Sequence, residues 1–149
     1  MAIVRTAGTE IIRSASFEDV DNTAQVLIQG VQHHIYTILS ITIFCVARQA
    51  AGNAFDLALV GYDSKAGTTA QSIQIGKWLL EVDQTFVWND KFSFNGYEPV
   101  DFTGPLDDAT KQDAIADQGS GVAQYLKANC SNAADNCEVH ITYIDQNNA

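Results

Sequence analysis

The stretch Ile35-Tyr36-Thr37-Ile38-Leu39-Ser40-Ile41-Thr42-Ile43-Phe44-Cys45-Val46-Ala47 decides the fold class. β-Branched residues lose side-chain freedom in a helix and pack well on a pleated, half-buried surface. The alternation places Ile35, Leu39, Ile41, Ile43 and Cys45 on one face and Tyr36, Ser40, Thr42 and Phe44 on the other, the period of a strand. The run is interrupted by Thr37, Ser40 and Thr42 and is too short to cross a bilayer as a helix, so no membrane partner is expected.

Working outward, the turn Ala50-Ala51-Gly52-Asn53 leads to a second strand in which Phe55, Leu57 and Leu59 alternate with Asp56, Ala58 and Val60. Upstream, Ala24–Gln29 reads as a strand and Gly30–His34 as a turn. Downstream, Ile73 and Ile75, then Phe86 and Trp88, then Phe92 and Phe94 mark short strands. Val122–Asn129 and Cys137–Asp145 close the chain, with Val139, Ile141 and Tyr143 on one face of the latter. Residues 97–120 differ in character: six acids (Glu98, Asp101, Asp107, Asp108, Asp113, Asp117) accompany one Lys111. Asp107 suits the cap of a short helix reaching about Ala116. Helical segments do not alternate with strands, which disfavours a parallel α/β fold. The expectation is an all-β, antiparallel two-sheet β-sandwich of jelly-roll type, with one short helix and an extended N-terminal arm. Residues 1–16 form the arm and 17–149 a single sandwich domain carrying the acidic excursion.

The 149 residues are 46% hydrophobic and 17% charged, a folded composition with enough length for a core. Eight basic against eighteen acidic side chains give a net charge of −10. Phosphate backbones are held by Lys and Arg, so nucleic acid is not an expected partner. The opening residues lack an apolar signal region, and synthesis in a host cytoplasm is expected.

No catalytic constellation emerges, and the expectation is that the chain is not an enzyme. His33 and His34 are adjacent and point apart on a strand, and His140 is distant, so no metal site and no cofactor are expected. Cys45, on a buried face, reads as a small apolar core residue. Trp78, Tyr97 and Phe102 fall in irregular segments, where core or rim packing competes with a sugar-stacking platform. Cys130 and Cys137 flank Ser131–Asn136, which is expected to join the last two strands as a hairpin. The two thiols then lie at the loop's base, either bridged or both free, with Cys45 unpaired in each case. A bridge over so short a loop contributes roughly 2.5 kcal/mol in the chain-entropy model. The apolar arm (Ile3, Val4, Arg5, Ile11, Ile12, Arg13) admits two placements: a strand added to a neighbour's sheet edge, or an edge strand of its own subunit.

The strand order, carried by Ile35–Cys45, Phe55–Val60, Thr85–Trp88, Val122–Ala128 and Val139–Ile144, resembles the small β-sandwich virion proteins of tailed bacteriophages, capsid decoration or cement proteins among them. Two departures are Ala47-Arg48-Gln49 in place of a small polar turn, and the acidic insertion before the last strands. The resemblance implies a homotrimer on the outer capsid surface, partnered by the major capsid protein and by copies of itself. It implies stabilisation of contacts between capsid subunits, with no chemistry. Its alternatives are a tail, baseplate or fibre-base component, or a carbohydrate-binding jelly roll using Trp78, Tyr97 or Phe102.

Overall fold

The computed structural model describes residues 10–62, 69–98 and 122–147. These contain eleven strands and no helix. The helix expected near Asp107–Ala116 and most of the acidic excursion lie outside the described residues.

One sheet has the order β1 (Glu10–Val20), β11 (Asn136–Asn147), β3 (His34–Ala47), β6 (Thr85–Trp88), with β7 (Phe92–Asn95) also paired to β3. β6 lies opposite Ile41–Phe44 and β7 opposite Ile35–Ile38, so the two form one interrupted edge along β3. The second sheet has the order β2 (Gln25–Gln29), β10 (Tyr125–Cys130), β4 (Ala54–Tyr62), β5 (Ala70–Leu79). A short pair, β8 (Tyr97–Glu98) and β9 (Val122–Ala123), sits apart from both. Every pairing is antiparallel. The expected two-sheet antiparallel sandwich is therefore present.

The core lies between the sheets. Tyr36, Ile38, Ile41, Ile43 and Cys45 of β3 and Cys137, Val139 and Ile141 of β11 face Phe55 and Leu57 of β4 and Leu126, Ala128 and Cys130 of β10. The side-chain parity of β3 differs from the expected one. Thr142 pairs with Ser40 but Tyr143 pairs with Ile38, so Leu39 is an extra residue in the ladder. This bulge reverses which side chains point inward. Tyr36 and Ile38 are buried before it, Ile41, Ile43 and Cys45 after it, and Ile35 turns outward. A strict alternation read along the whole stretch cannot contain that switch.

The expected final hairpin is also absent, because β10 belongs to one sheet and β11 to the other. Residues 131–135 form an arch across the sandwich, held by the buried carboxylate of Asp135. Its Oδ1 accepts from the Gln49 backbone N–H at 2.8 Å and the Asn53 amide at 2.9 Å. Its Oδ2 accepts from the Asn132 N–H at 2.8 Å and the Asn53 amide at 3.1 Å. One carboxylate thus ties the β10–β11 arch to the β3–β4 turn.

At the opposite end three segments meet. Gly30 N–H donates to Gln124 O at 2.8 Å, Gln124 N–H to Gly96 O at 2.8 Å, and Gly96 N–H to His34 O at 2.7 Å. Gly30 has to be glycine for this, since a Cβ there would lie far inside contact distance of the Gly96 and Gln124 carbonyl oxygens.

Candidate functional site

The expected arm is divided by the structure. Ile3, Val4 and Arg5 lie outside the described residues, whereas Ile11, Ile12 and Arg13 belong to β1, which pairs with β11 of the same chain from Glu10 to Phe17. The boundary expected between residues 16 and 17 falls inside this strand. A bulge follows, with Asp19 at a positive φ, and Val20 resumes pairing opposite Cys137. Ala15 and Phe17 pack on the core, while Ile12 is 70% exposed.

Among the described residues, no strand pairs with the outer side of β1, nor with the outer side of β5. β1 is eleven residues long and β5 ten, both without proline. On β5, Ile73 is 59% and Leu79 61% exposed. These two edges belong to different sheets and lie on opposite flanks. β1 sits beside β2 and β10, whereas β5 sits beside β6, with the Trp78 and Trp88 rings 5.6 Å apart.

Under β1 and β11 lies a polar group. Asp145, almost fully buried, accepts from Arg13 Nε at 2.8 Å and contacts His34 Nδ1 at 2.5 Å. Burial, with the Asp145 charge second, pushes the Tyr36 hydroxyl up to about 12. That hydroxyl accepts a hydrogen bond from the Val31 N–H at 3.1 Å. The group joins the start of β1 to the start of β3.

The three histidines do not converge: His34 meets Asp145, and His140 meets Ser16 at 2.7 Å. Among the described residues no group of three or more His, Cys, Asp or Glu side chains is arranged to hold a metal ion. Trp78, expected in an irregular segment, is on β5 and packs between Phe55, at 6.0 Å, and Trp88. Tyr97 is on β8, and Phe102 lies outside the described residues. A depression of about 250 Å³ on the outer face of the first sheet is bordered by Glu18, Phe44, Glu138 and His140.

All three cysteines are buried in one cluster. Cys130 Sγ lies 3.5 Å from Cys137 Sγ and 3.3 Å from the Val20 carbonyl. Cys137 also stands opposite Cys45 in the β3–β11 ladder. Cys130 and Cys137, expected together at the base of a hairpin, meet instead across the core, one from each sheet. The proximity of Cys45 was not visible in the sequence, because it depends on the register of β3 against β11.

No family model and no curated protein matches the chain. Among solved structures, one is similar over 100% of this chain and 97% of its own length, with a TM-score of 0.45 and 9% sequence identity. It belongs to work describing Bacillus endospore appendages as a novel family of disulfide-linked pili. The structure found is an appendage protein and not a phage capsid protein, no family model or curated protein matches, and the resemblance to virion decoration proteins is withdrawn. With it go the cement function, the major capsid protein as partner, the tail and baseplate alternatives and the outer capsid location. At 9% identity the likeness itself assigns this chain neither activity nor partner.

Proposed function

We propose that this chain is a structural subunit that associates with copies of itself by adding strand to strand at its sheet edges, and performs no catalysis. The observation that carries this is the pair of long edges, β1 in one sheet and β5 in the other, on opposite flanks. Soluble monomers often blunt such edges with very short strands or prolines, and β1 and β5 have neither, so their unpaired backbone groups can template pairing with another chain. Two different edges on opposite sides make a head-to-tail contact, which repeats into rings or open filaments instead of stopping at a two-fold dimer. The sheet-to-sheet crossing at β1–β2, β2–β3, β3–β4, β5–β6 and β10–β11 supports a jelly-roll description of the sandwich. The solved structure it resembles is described as part of pili; the proposal rests on this chain's own edges.

Light scattering and negative-stain imaging of the purified full chain over a range of concentrations test the idea. Ordered oligomers or filaments are expected. Ile12→Lys and Ile73→Lys each place a charge on one edge, at sites where the side chain contributes little to the fold. Burying an isoleucine contributes about 1.5–3 kcal/mol and 1.4 kcal/mol is tenfold in affinity, so each variant should raise the concentration needed for assembly at least about tenfold. A wild-type chain monomeric throughout, or edge variants assembling like wild type, refutes the proposal.

A further inference from the structure

The cysteine cluster carries an inference independent of assembly. The three thiols are buried between the sheets, and none is presented at an edge. Cys130 comes from β10 and Cys137 from β11, the central partners of β4 and β3 in the two layers. We propose that Cys130 and Cys137 form an internal disulfide that bolts the two sheets together, and that Cys45 stays reduced beside it. Of the two thiols near Cys137, Cys130 is the better placed. It approaches from the facing sheet, with its Sγ 3.5 Å from that of Cys137. Cys45, the directly opposed neighbour of Cys137 in the ladder, also interacts with Cys137 through its thiol, but its Sγ donates to the Ala47 carbonyl at 3.7 Å, whereas the Cys130 Sγ is aimed at that of Cys137.

Bond formation removes two protons and two electrons from the pair, and a small-molecule disulfide such as oxidised glutathione accepts them. One thiolate attacks the oxidant, giving a mixed disulfide and one free small thiol. The second protein thiolate then attacks the mixed disulfide and expels the other small thiol. The hydrogen bond with Cys130, and burial after it, push the Cys137 thiol up, and all three thiols are buried, so the closed core offers an oxidant little access and little thiolate at Cys137. Oxidation is therefore fast in the folding chain and slow in the folded one.

The test refolds the full chain with glutathione disulfide, in parallel with a reducing sample and with a folded, reduced sample given the same oxidant. Thiols are counted after denaturation, the bridge is mapped by peptide mass, and non-reducing gels report chain-to-chain bonds. Expected are one free thiol at Cys45, a single-chain band, and a Tm roughly 5–10 °C above that of the reduced protein. Oxidation of the folded reduced sample should be at least about tenfold slower, following the loss of accessible thiolate. Cys45→Ser should keep the bridge, and Cys130→Ser should abolish the dependence of Tm on reductant. Three free thiols after oxidative refolding, a mapped Cys45–Cys137 bond, or disulfide-linked dimers overturn the proposal, and the wild-type thiol count decides it even where a variant does not fold.

Discussion

Replacing Asp135 by alanine tests the physical account of the sandwich most directly. This residue is 2% exposed and its carboxylate is the acceptor for two backbone N–H groups and the Asn53 amide. Without it, the Gln49 and Asn132 N–H groups and the Asn53 amide lose their partner together. A stranded buried donor costs about 1–3 kcal/mol, and the lower figure applies here because the arch and turn are near the surface. Three donors at about 1 kcal/mol each give a loss of about 3 kcal/mol, a large share of the 5–15 kcal/mol typical of a domain. Asp135→Asn keeps the shape but turns one acceptor into a donor facing other donors, so roughly half that loss is expected. Urea denaturation of the reduced protein measures both, with the midpoint falling and the slope unchanged. Asn53→Ala combined with Asp135→Ala should show a coupling of at least about 0.5 kcal/mol in a double-mutant cycle. A loss below about 0.5 kcal/mol for Asp135→Ala, the range of ordinary surface changes, would refute the assignment of Asp135 as the tie between the two arches.

Gly30→Ala should destabilise by about 1–3 kcal/mol or more, since the new methyl group has to displace the carbonyls of Gly96 and Gln124; an unchanged denaturation midpoint contradicts this. Tyr36 predicts an alkaline transition. Its folded pKa of about 12 lies above the ordinary 10, so the folded protein holds the phenolic proton more tightly than the unfolded chain does. That contribution is complete below pH 10 and disappears as pH rises from 10 through 12, on the order of 2 kcal/mol in all. Tyr36→Phe should flatten the stability profile in that window relative to wild type. Tyr143, also pushed up by burial, remains in both proteins.

Much of the strand pattern was legible. β3, β4, β10 and β11 lie close to where the apolar alternation puts them, because a half-buried strand writes its period of two into the sequence. The parity error at Leu39 has a local cause: a bulge adds a residue without any signal in composition. Trp78 was assigned to an irregular segment because β5 is an edge strand with little apolar alternation. The candidate edges were less legible still. Ile12 and Ile73 look like ordinary apolar strand residues, and only the strand order shows that they stand on open sides. The family resemblance failed for a related reason, since a shared rhythm of strands describes many sandwiches and says nothing specific about a partner.

By itself, the sequence determined that the chain is built from antiparallel strands, because β-branched alternation and turn residues are local and each stretch carries its own preference. It also brought Cys130 and Cys137 close, since few residues separate them. Tertiary structure decided the rest. The six residues 131–136 suit a hairpin as well as an arch, and the choice between them rests on the Asp135 carboxylate meeting Gln49 and Asn53, more than eighty positions away. That choice puts β10 and β11 in different sheets, turns a cross-strand thiol pair into one that spans the core, and leaves β1 and β5 at the edges. Pairing partners of a strand are fixed by long-range packing and register, and no local propensity encodes them.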